Sequence, residues 1–223
     1  MSDNPQGVFI DGVEFPFDDS TSILEFTNKA LGDKIIPTLC DDTNLKPYGA
    51  CRVCSVEVQF NADGPSRTVA SCHTPINPGM HVSTNSDSIK TLRRNIVELV
   101  LSDHPPECLT CEVNGNCELQ DVAASVGVRK IRYAKGANHI DREKDLSHAY
   151  MRMDLYKCIN CSRCVRACDE VQGQFTLTMT GRGFESRITT DNDMLFGDSS
   201  CVSCGACAQT CPTSAISDVF QSK

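Results

Sequence analysis

The sequence contains no apolar run that approaches the roughly 20 residues needed for a transmembrane helix. Its best apolar stretch, residues 96–101, is short and is interrupted by Glu98. Residues 1–5 also lack the positive flank and apolar core of a secretory signal. We therefore expect a cytoplasmic protein without a membrane span, in a reducing compartment where disulfides are rare.

Basic charge is also scarce. The chain has 21 Lys and Arg against 29 Asp and Glu, a net charge of −8, and no basic tract stands out. Phosphate would repel such a chain, which argues against nucleic-acid binding. No G-x-G-x-x-G loop is present either, so the sequence predicts no dinucleotide site of its own.

Cysteine, in contrast, is abundant, with 15 among 223 residues. An odd number in a reducing compartment is a poor basis for disulfides. The cysteines fall into four groups, three with four cysteines and one with three. One histidine supplies the fourth ligand of the incomplete group, so that every cysteine is used once. The groups are Cys40, Cys51, Cys54 and Cys72; His104, Cys108, Cys111 and Cys117; Cys158, Cys161, Cys164 and Cys168; and Cys201, Cys204, Cys207 and Cys211. This closure predicts four metal centres with four ligands each.

The last two groups both have the spacing C-x2-C-x2-C-x3-C, which is the bacterial ferredoxin spacing for [4Fe–4S] clusters. In that arrangement the fourth cysteine of each motif ligates the other cluster. We therefore expect one cluster on Cys158, Cys161, Cys164 and Cys211, and a second on Cys168, Cys201, Cys204 and Cys207. Zinc also binds C-x2-C pairs, but a zinc ribbon uses two separated pairs.

The first group differs from the plant ferredoxin spacing because its first gap is longer. Its surroundings still favour a [2Fe–2S] site in a β-grasp domain, although a four-cysteine zinc site is an alternative. We predict a hairpin turning at Asp11-Gly12 and a helix that ends at Gly32. That helix is expected to be capped by Ser20, Thr21 or Ser22, and a later strand to contain Val56, Val58 and Phe60.

The second group, His104 with Cys108, Cys111 and Cys117, fits a zinc site or an iron–sulfur cluster equally well on spacing alone. The odd cysteine count favours His104 as a ligand. It follows an amphipathic helix that is expected to end at Ser102-Asp103. One side of that helix would carry Ile89, Leu92, Ile96, Leu99 and Val100. The remaining histidines are given surface or structural roles: His73, His81, His139 and His148.

The motifs divide the chain into three predicted domains of an α+β protein. Residues 1–78 form the [2Fe–2S] domain, residues 79–149 a mainly helical domain with a short helix over 118–124, and residues 150–223 the two-cluster domain. Residues 135–148 are expected to be a linker or extended loop. Between the last two motifs, residues 175–190 predict a hairpin that turns at 181–183, or alternatively a docking finger.

The order of these motifs resembles the N-terminal region of the complex I large iron–sulfur subunit. It also resembles the matching region of [FeFe] hydrogenases and NAD-dependent formate dehydrogenases, and the small diaphorase iron–sulfur subunit of NAD-reducing hydrogenases. The most specific segments are residues 48–54, 104–121, 158–173 and 201–216. The resemblance implies one [2Fe–2S] and three [4Fe–4S] clusters, with His104 as a cluster ligand.

The resemblance also implies a function. The family enzymes carry catalysis in a large domain after the last cluster, whereas this sequence ends at Lys223 and has no spare cysteine for a molybdenum, tungsten, nickel or hydrogen-activating site. We expect a non-catalytic electron-transfer subunit between a flavin/NAD(P)H-binding subunit and a catalytic subunit in a hetero-oligomer. Residues 168–173 and 181–187 favour formate dehydrogenase as that partner, with hydrogenase next. The alternative is a free diffusible ferredoxin-type carrier, whose acidic charge would suit transient docking.

Overall fold

The computed structural model describes residues 7–60, 64–134 and 143–220. Its N-terminal region, which we take as residues 7–86, is built on a five-stranded sheet with the strand order β2-β1-β5-β3-β4. Strands β1 and β5 are parallel and the other neighbours are antiparallel. The strands are β1 (Val8–Ile10), β2 (Val13–Phe15), β3 (Ser55–Gln59), β4 (Arg67–Ala70) and β5 (His81–Ser83).

The predicted hairpin and helix in this region are confirmed. Asp11 and Gly12 have φ angles of 49° and 86°, which is the pair of positive values that a type I′ hairpin turn requires. Helix α1 (Ile23–Leu31) begins where the Ser22 side chain accepts a hydrogen bond from the Glu25 N–H at 3.2 Å. It ends at Gly32, whose N–H donates to the Asn28 carbonyl.

Helix α1 packs on the sheet through Ile23, Leu24 and Phe26, and each buried side chain of this kind contributes about 1.5–3 kcal/mol. The sheet reaches past the predicted domain boundary at residue 78, because β5 lies between β1 and β3. Phe60 was expected to continue strand β3, but it follows the strand and is 45% exposed. The packed sheet and helix form a rigid base for the loop after α1, which carries the first cysteines.

The middle region, residues 87–134, contains helices α2 (Asp87–Ser102) and α3 (Glu118–Ser125), as predicted. The predicted apolar face of α2 is confirmed in part, because Ile89 is buried and Ile96 and Val100 pack against the core. Leu99 was wrong, since it is 52% exposed, and Arg93 and Val97 are buried instead. Hydropathy places an arginine on the exposed face of a helix, so the burial of Arg93 could not be expected from it. The Arg93 guanidinium donates to the Ser55 carbonyl from Nε at 3.0 Å and from Nη2 at 2.7 Å, which turns that side of α2 toward β3.

The C-terminal region, residues 143–220, contains two small antiparallel sheets. One pairs β6 (Met151–Met153) with β9 (Ile216–Asp218), and the other is the predicted hairpin, β7 (Leu177–Thr180) with β8 (Arg187–Thr190). Helix α4 (Arg163–Arg166) continues into a π-helical turn over Ala167–Val171, and α5 (Ala206–Thr210) lies within the last motif, between Cys204 and Cys211. The core between them contains Met151, Leu177, Ile188, Phe196 and Ile216.

The predicted linker falls partly outside the described residues, since residues 135–142 are not among them. Its later part belongs to the C-terminal region, because the Asp145 and Met153 backbones exchange two hydrogen bonds of 2.9 Å. Within residues 7–60, 64–134 and 143–220, none of the helices has the length and apolar character required to cross a bilayer.

Candidate metal centres

The first predicted ligand set is brought together by two loops that meet beside the sheet. The Cys54 and Cys72 sulfurs lie 3.4 Å apart, and the Cys51 N–H donates to Cys40 Sγ at 3.4 Å. Gly49, with φ 72°, turns the chain just before Cys51. A Cβ placed on Gly49 would lie 3.4 Å from the Cβ of His73, so the two loops touch here.

These four sulfurs influence one another's ionisation. Hydrogen bonds from the Cys51 and Cys72 thiols hold the pKa of Cys40 far below its usual value. The same contact with Cys40 raises the pKa of Cys51, and burial raises it further. In this crowded group, one sulfur is favoured as a thiolate and its neighbours are held as thiols. Such a group suits a metal cation, because a bound metal replaces the thiol protons and offsets the negative charge of the thiolates.

The predicted ligands of the first ferredoxin-type cluster, with Cys211 in place of Cys168, line one cavity in the C-terminal region, and we call them the third set. Cys158, Cys161, Cys164 and Cys211 surround it, together with apolar side chains that include Leu155, Ile188 and Ile216. Asn160 and Ser162 alternate with the cysteines and have φ angles of 52° and 59°, so the loop curls tightly around the cavity. Burial raises the pKa of Cys161 to about 12. Thiols in such a buried, apolar cavity stay protonated in the absence of metal, and metal binding converts them to thiolates.

The fourth set lines a second cavity of the same kind. Its cysteines are Cys168, Cys201, Cys204 and Cys207, and Met151, Leu177 and Phe196 supply apolar walls. Ser203 (φ 60°) and Gly205 (φ 77°) take the places that Asn160 and Ser162 occupy in the other motif. The Ser203 N–H donates to Cys201 Sγ at 3.3 Å, as the Asn160 N–H does to Cys158 Sγ at 3.4 Å. The two cavities therefore have matching loop geometry, and each takes its fourth cysteine from the other motif.

The second set lines a more open cavity at the end of α2. His104 follows the helix, Cys108 begins a short 3-10 turn, and Cys117 precedes α3. All three line the cavity with Cys111, and Cys108 is exposed to solvent. Burial raises the pKa of Cys117. This set offers an imidazole and three sulfurs, whereas each of the other three sets offers four sulfurs.

This cavity is also lined by charged residues that the sequence did not indicate, namely Lys144, Asp154 and Lys157. Asp154 is buried, and its Oδ2 lies 3.1 Å from Lys144 Nζ and 3.7 Å from Lys157 Nζ. All three belong to the C-terminal region, whereas the predicted ligands belong to the middle region. No spacing rule in the sequence relates residues so far apart, because only the packing of the two regions brings them together.

His148 was predicted to have a surface or structural role, and the structure places it, 7% exposed, under the loop of the fourth set. Its Nδ1 accepts hydrogen bonds from the Tyr150 and Met151 N–H groups, both at 3.1 Å. A nitrogen that accepts hydrogen bonds carries no proton, so the ring N–H of this arrangement is on Nε2. Nε2 faces the Ser203 hydroxyl at 3.3 Å, which makes His148 a support for that loop.

Across the described ranges, no group of three or more His, Cys, Asp or Glu side chains is arranged to hold a single metal ion. We therefore judge the fit of the four sets to iron–sulfur clusters by the type of donor atom and by the surroundings of each set. Cysteine sulfurs converge on apolar-walled cavities or on one another, and cluster iron in proteins is held by such thiolates.

Comparison with known protein families defines the class. Residues 5–87 match the 2Fe-2S iron-sulfur cluster binding domain. Residues 93–132 match the NADH-ubiquinone oxidoreductase-G iron-sulfur binding region, and residues 157–215 match the 4Fe-4S dicluster domain. The chain is therefore an iron–sulfur protein with three cluster-binding regions in series.

Individual relatives confirm the resemblance inferred from the motifs. The chain is 38% identical over 215 residues to the NADP-reducing hydrogenase subunit HndD of Solidesulfovibrio fructosivorans, covering 94% of this chain and 35% of that protein. It is 32% identical to a putative formate dehydrogenase of Staphylococcus haemolyticus, covering 95% and 20%. A chain of an NAD+-reducing [NiFe]-hydrogenase crystal structure matches with a TM-score of 0.84 and 29% identity, covering 97% and 88%. The chain thus spans about a third or less of the length of these curated relatives.

Proposed function

We propose that this chain is an electron-transfer subunit, which passes single electrons between a flavin/NAD(P)H-binding subunit and a catalytic subunit of a hetero-oligomeric oxidoreductase. The observation that carries the proposal is the convergence of the cysteine sets on separate sites within one folded chain, two of them in matched cavities. Bound iron–sulfur clusters supply one-electron redox chemistry, and the protein tunes them by ligand type, burial and hydrogen bonds.

The proposal includes a specific layout. A β-grasp [2Fe–2S] domain extends through β5, a helical domain holds the His104 set, and a ferredoxin-like domain holds two clusters. The topology of the five-stranded sheet with α1 packed on it supports the first assignment. The cavity lined by the His104 set supports the second, and the paired cavities support the third. The layout corresponds to one [2Fe–2S] and three [4Fe–4S] clusters, or about 14 iron atoms.

We further propose formate dehydrogenase as the favoured catalytic partner and hydrogenase as the next. Relatives named for each activity cover more than nine-tenths of this chain, so they support a common electron-transfer role for both. The preference for formate rests on the sequences of residues 168–173 and 181–187. The relatives described above give no support to the alternative of a free diffusible carrier.

Anaerobic purification from the native host tests the proposal, with identification of the proteins that co-elute. We expect a flavin-containing subunit and a subunit with a molybdenum, tungsten or hydrogen-activating centre. The metal of that catalytic subunit would also separate formate from hydrogen as the substrate. A brown chain that elutes alone and exchanges electrons with several enzymes would contradict the proposal and establish the free carrier.

A cysteine substitution tests the relay within the complex. Cys204→Ala removes one predicted ligand of the fourth set, so NAD-linked turnover is expected to be lost while dye-linked activity of the catalytic partner remains. Val202→Ala is the matched control, because Val202 lies in the same loop and is not a predicted ligand. Equal loss of both activities in an intact Cys204→Ala complex would refute the relay.

A further inference from the structure

One buried arginine joins the three regions of the chain. Arg163 begins α4 and is 5% exposed. Its Nη2 donates to Asp42 Oδ2 at 2.8 Å, and its Nη1 donates to Glu118 Oε2 at 2.6 Å. Its Nε donates to Thr210 Oγ1 at 3.0 Å, and that hydroxyl in turn donates to Asp42 Oδ2 at 2.7 Å. The guanidinium is therefore held by side chains from the N-terminal, middle and C-terminal regions at once.

Each of these partners lies beside a predicted ligand of a different set. Asp42 follows Cys40 by two residues, and Glu118 comes directly after Cys117. Thr210 comes directly before Cys211, and Arg163 itself lies between Cys161 and Cys164. A single side chain is thus in contact with the ligand loops of three proposed clusters.

A second arginine on the same helical turn strengthens the junction. Arg166 donates from Nη1 to the Lys46 carbonyl at 2.6 Å and from Nη2 to the Cys40 carbonyl. Its guanidinium carbon lies 4.9 Å from the centre of the Tyr48 ring, within the range of a cation–π contact. Helix α4 is therefore fastened to the loop of the first set by contacts that do not involve Arg163.

The junction pairs opposite charges. Asp42 Oδ1 accepts a further hydrogen bond from the Asn44 N–H at 2.9 Å, so donors hold both oxygens of that carboxyl group. Arginine stays protonated in proteins. The junction therefore holds one positive charge between two carboxylates. Arg163 and Asp42 are largely shielded from water, whereas the Glu118 side chain is half exposed. Charges shielded from water act over longer distances than charges in solvent.

We propose that Arg163 is a positioning residue for electron passage, which holds the three ligand loops against one another and raises the reduction potential of the cluster at Cys158, Cys161, Cys164 and Cys211. The inference rests on the proposed function. Reduction adds one electron to a cluster, so a nearby cation favours the reduced form and a nearby carboxylate opposes it. Arg163 and Asp42 are therefore expected to act on the potential in opposite directions.

The test uses the full chain, purified anaerobically with its clusters, and redox titration with dithionite and ferricyanide monitored by electron paramagnetic resonance. Arg163→Gln is expected to lower the midpoint potential of the affected cluster, and Asp42→Asn to raise it. Arg163→Lys keeps the charge and should stay near the wild-type potential. Arg67→Gln, the same substitution at an exposed position of edge strand β4, is the matched control and should produce no shift.

A second readout concerns position. Reduced clusters that lie close together broaden one another's resonance signals, and Arg163→Gln is expected to lose part of this broadening. Arg163→Lys keeps the charge but lacks the three guanidinium nitrogens that hold Asp42, Glu118 and Thr210, so it is also expected to lose part of the broadening while its potential stays near that of the wild type. If Arg163→Gln fails to retain clusters, Asp42→Asn still tests the sign of the charge effect, and Arg163→Lys tests whether a retained charge leaves the potential unchanged.

Shifts of the same sign in Arg163→Gln and Asp42→Asn would refute the electrostatic role, as would unchanged potentials and unchanged broadening with full iron content. A wild-type chain that binds no iron would instead overturn the proposed function, so the two failures are distinguishable.

Discussion

Arg93 offers a quantitative test of how the middle region supports the first ligand set. Its guanidinium is buried and makes two hydrogen bonds, of 3.0 Å and 2.7 Å, to the Ser55 carbonyl, one residue after Cys54. Hydrogen bonds from charged groups contribute about 1.5–3 kcal/mol, and the buried aliphatic part of the side chain adds packing. Arg93→Ala should therefore weaken the contact between α2 and β3 by about 2–3 kcal/mol.

The assay is the rate at which the chain releases iron to a chelator at moderate urea concentration. Since 1.4 kcal/mol corresponds to a factor of ten, opening of this contact predicts roughly 30–150-fold faster iron release. Arg94→Ala is the control, because Arg94 is the exposed neighbour on the same helix and its loss should cost less than about 0.5 kcal/mol. Iron release from Arg93→Ala within about threefold of the Arg94→Ala rate would refute the reasoning.

Three further predictions follow from the ligand loops. His148→Phe leaves the Tyr150 and Met151 N–H groups without their acceptor, at a cost of about 1–3 kcal/mol. We expect loss of about four iron atoms per chain from the fourth set, and full iron content in this variant would contradict the support role. Gly49→Ala places a side chain at φ 72° beside His73, so it should lower the visible absorption of the [2Fe–2S] centre; an unchanged spectrum would show that the turn tolerates a Cβ. Removal of iron by a chelator under anaerobic conditions should reduce far-ultraviolet circular dichroism, because the cavities lose their cross-links. An unchanged spectrum would mean that the fold stands without metal.

The sequence predicted the parts of this molecule that depend on near neighbours in the chain. The Asp11-Gly12 turn, the Ser22 cap and the hairpin of β7 with β8 each follow from residues within a few positions, and each is present. The burial of Arg93 on α2 could not be predicted, since it depends on a hydrogen bond to the Ser55 carbonyl, which lies 38 residues away. The extension of the first sheet beyond residue 78 could not be predicted for a related reason, because β5 is placed by its pairing with distant strands.

The cysteine groups could be found in the sequence because ligand loops are short and their cysteines are regularly spaced. The residues that form contacts between regions have no regular spacing by which they could be found. Arg163 and Asp42 are separated by 121 residues, and neither belongs to a recognisable motif. Their roles depend on which ligand loops pack together. Such residues are identified by their hydrogen bonds in the folded chain rather than by their spacing.

The contacts between regions lie next to the ligand loops, and this links assembly to electron passage. The Pro212 carbonyl, one residue after Cys211, accepts a hydrogen bond from the Glu118 N–H at 3.1 Å and lies 3.7 Å from Cys117 Sγ. Arg166 binds the carbonyl of Cys40 itself. If a ligand loop is disordered for lack of metal, it cannot offer these partners, so we expect incomplete metal loading in one region to weaken its docking to the next. The hydrogen bonds that hold the regions together are therefore also those that set the spacing between the proposed clusters.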